Sequence, residues 1–127
     1  MAEASLKKIL IVDDEEEALF HLINILRRAN YKVISATGGE QAVELARKMH
    51  PDLIILDIVM PDLDGGDVAT ILSENPSTAG IPIIFLTGIL TKEEELLGKT
   101  SGKRYVIAKP AMPEDLLDMV NKVIKSC

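Results

Sequence analysis

Cysteine is nearly absent from the sequence: the one cysteine, Cys127, is the last of its 127 residues. The chain therefore has neither the paired cysteines of a disulfide framework nor the cysteine spacing of a zinc site. No apolar run approaches the roughly 20 residues that a membrane-spanning helix needs, and no signal peptide is expected before Lys7. A reducing, cytoplasmic setting with no membrane partner is the resulting expectation.

Positive charge is also scarce. Lys and Arg number 14 against 20 Asp and Glu, which gives a formal net charge of −6 at pH 7 and argues against direct contact with nucleic acid. Hydrophobic residues make up 47% of the chain, and internal repeats and low-complexity stretches are lacking, so a globular protein is expected. The length fits a single domain spanning 1-127, with an ordered core of about 7-125.

What the sequence does contain is a series of apolar runs, each followed by a polar residue. Residues 9–12 end at Asp13 and Asp14, residues 53–56 at Asp57, residues 83–86 at Thr87, and residues 105–108 at Lys109. Such runs are typical of strands buried on both faces of a parallel sheet, and ligands bind at the carboxyl edge of such sheets. If the strands are parallel, three acids, a hydroxyl and an ammonium meet at one edge.

Helical spacing fills the intervals between the strands. The pattern predicts a second strand at residues 32–36 and helices after Asp14, from residue 38 to 49, over 67–74, over 92–100, and from Pro113 onward. The helix over 92–100 is the most weakly specified, because Gly98 costs it roughly 1 kcal/mol relative to Ala. Five strands alternating with five helices predict an α/β fold, a flavodoxin-like (βα)5 doubly wound parallel five-stranded sheet of order 2-1-3-4-5.

The acids at the predicted edge favour a hard divalent cation. Carboxylates brought together repel one another, so either one carries a proton or a cation lies among them. Mg²⁺ takes oxygen ligands together with waters and phosphate oxygens, and the strand ends have no His or Cys that would favour zinc. A carboxylate such as that of Asp57 can also attack phosphorus and form an aspartyl phosphate.

One known family has the same kind of residue at each strand end. The chain resembles the receiver domain of two-component response regulators, in particular the chemotaxis receivers, and the resemblance covers nearly the whole chain. It rests on Asp13-Asp14, Asp57 with Met60-Pro61 and Asp64-Gly65, Thr87-Gly88, and Lys109-Pro110.

The resemblance implies phosphorelay signal transduction. Asp57 would accept a phosphoryl group from the phosphohistidine of a sensor histidine kinase or a phosphotransfer protein. Asp14 and Asp57 would ligate Mg²⁺, with Asp13 acting largely through water and the Val59 carbonyl as a further ligand. The Lys109 ammonium would pair with the phosphoryl group. The chain would not be an enzyme in the usual sense, because it would catalyse only its own phosphorylation and dephosphorylation.

The resemblance also implies a switch. Thr87 would swing toward the phosphoryl group, the Lys109-Pro110 bond would be cis, and the surface of the fourth helix, fifth strand and last helix would change. An unknown output domain or target protein would read that surface, which could also support a dimer. Val106 stands where the family often has an aromatic partner for the threonine, and Tyr105 would point to the opposite face of its strand. The usual coupling of threonine and aromatic is therefore in doubt.

Other interpretations stay open at this stage. Asp13 and Asp14 could simply cap the first helix, and Asp64 with Gly65 suits a turn better than a ligand set. A phosphatase of the haloacid-dehalogenase type would carry a second Asp two residues after its nucleophile, where Val59 stands. A nucleotide-binding domain would need a glycine-rich turn after the first strand. The intact acid set argues against a receiver-like scaffold that no longer accepts phosphate.

Overall fold

The computed structural model describes residues 6–58, 64–87, 104–108 and 112–125, except for the side chains of Thr87 and Ala108. The predicted helix over residues 92–100 lies outside the described residues, so the last predicted helix is α4 below. The strands are β1 (Lys8–Val12), β2 (Lys32–Ala36), β3 (Leu53–Asp57), β4 (Ile83–Thr87) and β5 (Arg104–Ala108). The described helices are α1 (Glu16–Arg28), α2 (Gly39–Met49), α3 (Gly65–Glu74) and α4 (Pro113–Lys125).

All five strands run parallel in one sheet, in the order β2-β1-β3-β4-β5. The predicted flavodoxin-like doubly wound sheet and its strand order are therefore confirmed. From β1 the chain moves outward to β2 and then returns past β1 to β3. The carboxyl ends of β1 and β3 consequently flank the topological switch point, which is where open α/β sheets bind their ligands.

Each face of the sheet carries its own hydrophobic core. One face packs against α2 and α3, and the other packs against α1 and α4. Successive strand residues point to opposite faces, so a central strand between two helical layers must be apolar at every buried position. β3 is accordingly apolar over residues 53–56 and buried along its whole length; its last residue, Asp57, adds a buried carboxylate.

The start of α3 differs from the prediction. The helix begins at Gly65, two residues before the predicted start at Asp67. Asp64 is its N-cap. The Asp64 Oδ1 atom accepts a hydrogen bond from the Asp67 backbone N–H at 2.9 Å, and the Asp64 carbonyl accepts one from the Val68 backbone N–H at 3.1 Å. The interpretation of Asp64 and Gly65 as a turn was therefore wrong, because the pair opens a helix.

The last helix, α4, begins at Pro113 as predicted. The Leu116 backbone N–H donates to the Met112 carbonyl at 3.0 Å, which puts Met112 at the N-cap with a side chain that is 55% exposed. Farther along α4, Asn121 accepts a hydrogen bond from the hydroxyl of Tyr31. Within the described part of the chain, no helix has the length and apolar character needed to cross a membrane.

Candidate functional site

Three carboxylates meet at the switch point of the sheet. Asp13 and Asp14 directly follow β1, and Asp57 is the last residue of β3. One carboxylate oxygen from each lies within 4.8 Å of the other two. We call this group the aspartate cluster. It forms because β1 and β3 pair in parallel, with Val12 beside Leu56, so that both strands deliver their next residues to the same place.

The members of the aspartate cluster differ in their exposure. Asp13 is fully buried, Asp57 is 6% exposed, and Asp14 is open to solvent. The Asp13 Oδ1 atom accepts a hydrogen bond from the Glu15 backbone N–H at 2.9 Å, and the Asp13 backbone N–H donates to the Ala36 carbonyl at 3.1 Å. Asp13 is thereby held between β2 and the start of α1. The cluster has a fixed, buried side and an open side through which a ligand could enter.

The structure separates the aspartate cluster from simple helix capping. The N-cap of α1 is Glu15, and its side chain makes no capping hydrogen bond. Asp13 accepts from Glu15 and so shapes the turn between β1 and α1, but neither Asp13 nor Asp14 occupies the cap position. Asp13 and Asp14 therefore do not serve merely as helix caps.

The donor set of the cluster suits Mg²⁺. It offers hard carboxylate oxygens from three residues, and Mg²⁺ is commonly held by one or two carboxylates together with waters and phosphate oxygens. Among the residues that the structure describes, no His or Cys joins the cluster, which distinguishes it from a zinc site. Val59, whose carbonyl was the further predicted ligand, lies outside the described residues.

The other predicted site residues are described in part or not at all. Thr87 is the last residue of β4, where its backbone pairs with Ala108 of β5. Its neighbour Leu86 pairs with Asp57, so Thr87 lies one residue beyond the partner of the phosphoacceptor candidate. Lys109 and Pro110 follow Ala108 and lie outside the described residues. The position of the ammonium and the cis peptide bond therefore stay predictions.

The register of β5 bears on the predicted switch. Val106 lies beside Phe85 of β4, and both belong to the core on the α2 and α3 face. Tyr105 packs against the opposite core, with α1 and α4. The expected separation of Tyr105 from the Val106 face is confirmed. Tyr105 therefore does not supply the aromatic side chain that Val106 lacks.

Sequence reasoning missed the contact between Arg104 and Phe85 on this face. The Arg104 guanidinium carbon lies 5.7 Å from the centre of the Phe85 ring, within the range of a cation–π contact. Burial lowers the pKa of Arg104 from its usual value, since desolvation disfavours the charged form. The signal in the sequence was strand alternation, which places Arg104 and Val106 on the same side of β5.

A close contact at Gly65 was also missed. A Cβ atom on Gly65 would lie 2.9 Å from the Ile58 Cα atom and 3.0 Å from the Asp57 carbonyl oxygen. The Gly65 backbone N–H donates to the Ile58 carbonyl at 2.7 Å. Glycine is used where one backbone must approach another this closely. The Asp-Gly pair was visible in the sequence, but the backbone that it approaches was not.

Comparisons with known proteins agree on the family. The sequence profile of the response regulator receiver domain matches residues 9–121. Protein PilH of Pseudomonas aeruginosa is 35% identical over 117 residues, which are 92% of this chain and 97% of PilH. The alkaline phosphatase synthesis transcriptional regulatory protein PhoP of Bacillus subtilis is 36% identical over 119 residues; these are 94% of this chain but 49% of PhoP.

The fold is also similar to that of a solved receiver domain. The receiver domain of the sensor histidine kinase PA1611 from Pseudomonas aeruginosa matches with a TM-score of 0.85 and 26% identity, over 95% of this chain and 99% of that one. It was solved with a magnesium ion coordinated in its active site cleft. The family profile matches most of this chain, and PilH is similar to it over nearly the whole of both proteins. This chain therefore belongs to the response regulator receiver domain family.

Proposed function

We propose that this receiver is a phosphoacceptor, in which Asp57 takes a phosphoryl group from the phosphohistidine of a sensor histidine kinase or a phosphotransfer protein. The observation that carries the proposal is the aspartate cluster at the topological switch point. Within the cluster, Asp57 alone ends a central strand, and only 6% of its surface is exposed. Membership of the receiver family supports the same assignment.

In the proposed reaction, a carboxylate oxygen of Asp57 attacks phosphorus while the bond from phosphorus to the histidine nitrogen breaks. The nitrogen keeps the electron pair of that bond, and Asp57 becomes an acyl phosphate. Mg²⁺ held by Asp13, Asp14 and Asp57, with the Val59 carbonyl, would supply positive charge that offsets the charge on the transferring group. Because Asp57 lies in a buried strand and pairs with Leu86 of β4, its backbone is already ordered before the reaction, which would lower the entropic cost.

We extend the proposal to the ends of β4 and β5. Thr87 would donate a hydrogen bond to the phosphoryl group, and the Lys109 ammonium would pair with it. The support is the register: Thr87 lies beside Ala108, and Lys109 is the next residue along the chain. The formal charge of −6 argues against direct contact with nucleic acid. The protein would act in the cytoplasm and would catalyse only its own phosphorylation and dephosphorylation.

We further propose that phosphorylation changes the surface formed by residues 92–100, β5 and α4. The ladder between β4 and β5 joins Thr87 directly to β5, and Tyr105 of β5 packs against the core that contains α4. A movement at the end of β4 would therefore reach α4 through contacts that already exist. A target protein, an output domain or a second copy of the chain would read the altered surface.

Intact-mass measurement after incubation with acetyl phosphate tests the assignment of Asp57. The parent should gain one phosphoryl group, and only with Mg²⁺ present, whereas Asp57→Asn should gain none. Asp52→Asn is the matched control, because Asp52 stands at the opposite end of β3 and bonds to Lys8 instead of joining the cluster. Equal labelling of Asp57→Asn and the parent would refute the assignment.

Hydrogen exchange with and without beryllofluoride, a mimic of the phosphoryl group, tests the proposed surface. Changes in protection are expected in β5 and α4, because these elements lie along the connection from Thr87. Changes confined to α2 and α3 would contradict the proposal.

A further inference from the structure

We propose that Gly65 is a positioning residue for Asp57. The inference rests on the proposed function of Asp57 as phosphoacceptor and adds a residue that does not touch the reacting atoms. In this arrangement, the first residue of α3 lies directly on the backbone that leaves β3, and the absence of a side chain at Gly65 sets the distance between them. One added methyl group would displace the phosphoacceptor from the other acids.

The contact joins backbone to backbone. A Cβ atom on Gly65 would lie 2.9 Å from the Ile58 Cα atom and 3.0 Å from the Asp57 carbonyl oxygen, while the Ile58 side chain would be 3.5 Å away. Non-bonded carbon atoms are comfortable at about 3.5–4.0 Å, so one of the two segments would have to move by at least about 0.6 Å. Because neither nearest atom belongs to a side chain, a change of rotamer could not relieve the overlap.

The position of α3 is fixed from its own side. Asp64 caps the helix through the bond from the Asp67 backbone N–H at 2.9 Å. The Gly65 backbone N–H is bound to the Ile58 carbonyl at 2.7 Å, and Gly65 itself is buried. Farther along α3, Val68 and Leu72 lie in the hydrophobic core. A retreat of α3 from β3 would lengthen the short hydrogen bond at Ile58 and draw Val68 and Leu72 away from the core.

The end of β3 is held less uniformly. Asp57 is paired with Leu86 of β4, and the Ile58 backbone N–H donates to the Leu86 carbonyl at 3.3 Å, which is a longer bond than the one to Gly65. A methyl group at Gly65 would therefore push mainly on the Asp57–Ile58 peptide unit. The Asp57 carboxylate would move with it, away from its place within 4.8 Å of Asp13 and Asp14.

Gly65→Ala tests the inference, with two matched controls. Gly80→Ala adds the same methyl group where no atom lies within 4 Å, so it measures the general effect of replacing glycine. Leu72→Ala destabilises α3 from within the core, about two turns from the contact, so it measures the effect of a weaker α3 alone. The measurements are the rate of labelling by acetyl phosphate, corrected for the folded fraction, and the Mg²⁺ affinity by isothermal titration calorimetry.

The expected result is specific to Gly65. Gly65→Ala should be labelled at least about tenfold more slowly than the parent and bind Mg²⁺ about tenfold more weakly, since ångström-scale misplacement has effects of this size or larger. Gly80→Ala and the folded fraction of Leu72→Ala should match the parent in both measurements. A Gly65→Ala protein that labels and binds Mg²⁺ like the parent, or a Leu72→Ala protein with the same loss, would overturn the inference.

Two further outcomes keep the inference separate from the proposed function. If the parent and Gly80→Ala are not labelled, the proposed function fails, and Mg²⁺ affinity alone then decides whether Gly65 positions Asp57. If Gly65→Ala is only partly folded in plain buffer, all variants are measured in trimethylamine N-oxide, an osmolyte that favours the compact state. Slower labelling of Gly65→Ala than of the parent in that buffer supports the inference, and parental labelling overturns it.

Discussion

The two ends of β1 and β3 use charged residues in opposite ways. At the amino end, the Asp52 carboxylate accepts a hydrogen bond from the Lys8 backbone N–H at 2.8 Å, and the Lys8 ammonium donates to the Met49 carbonyl at 2.9 Å. At the carboxyl end, the aspartate cluster places three acidic groups within 4.8 Å of one another. The amino end joins groups that attract, whereas the carboxyl end gathers groups that repel.

This difference separates stability from function along the same two strands. The Lys8 ammonium lies at the carboxyl terminus of α2, where the helix dipole favours positive charge, so the amino end needs no ligand. In the aspartate cluster, an added cation or proton lowers the repulsion between the carboxylates. Removing a charge at the carboxyl end should therefore weaken Mg²⁺ binding and raise the stability of the metal-free protein. Substitutions at the amino end should change the stability alone.

The largest expected effect is that of Asp14→Asn. Removing one charge from the aspartate cluster should weaken Mg²⁺ binding by at least about tenfold, because the cluster loses a carboxylate ligand. The same variant should be more stable than the parent without Mg²⁺, by on the order of 1 kcal/mol, since Asp14 is exposed and its repulsion is screened. Titration calorimetry and urea unfolding, both with and without Mg²⁺, measure the two effects. A metal-free Asp14→Asn protein less stable than the parent would contradict the comparison.

Asp52→Ala should have the opposite signature. Losing the acceptor of the Lys8 backbone N–H should lower the free energy of unfolding by about 1 kcal/mol, as for a hydrogen bond to an exposed charged group. Mg²⁺ affinity and labelling by acetyl phosphate should stay at the parental level. Weaker Mg²⁺ binding in Asp52→Ala would show that the two ends of β3 are not independent.

His50→Gly should strengthen the amino end. His50 ends α2 with a φ of 47°, in the left-handed region, where a side chain is strained and glycine is not. The variant should unfold with a free energy about 1 kcal/mol higher than the parent, at unchanged Mg²⁺ affinity. Urea unfolding at pH 7 measures this, with Gly80→Ala as a control outside the helix end. An unchanged or lower stability would mean that the His50 side chain contributes contacts that outweigh the strain.

The smallest effect concerns Tyr31 at alkaline pH. Burial raises the pKa of Tyr31 above its usual value of about 10, and its hydroxyl donates to Asn121 of α4. The unfolded chain therefore loses this proton first, so the contribution of Tyr31 to stability is complete below pH of about 10 and is lost as the pH rises through the folded-state pKa. The parent should lose stability more steeply than Tyr31→Phe above that pH. Parallel curves for both proteins would exclude this contribution.

Much of the fold was accessible from periodicity alone. The apolar runs at residues 9–12, 53–56 and 83–86 read as buried strands because no polar position interrupts them, and the polar residue after each run marked the edge of the sheet. Parallel order then required Asp13, Asp14 and Asp57 to meet, and the structure brings them together. The start of α3 was misplaced because a capping aspartate and a turn aspartate look alike in a sequence.

The sequence by itself determined the strands, the acids at their ends and the resemblance to the receiver family, since these depend on patterns within short segments. Only the tertiary structure decided that Gly65 touches the backbone of Asp57 and that Arg104 lies over Phe85. These contacts join segments from different elements, and their effect depends on differences of less than an ångström. Such distances are set by strand register and helix packing, which no local pattern of residues records.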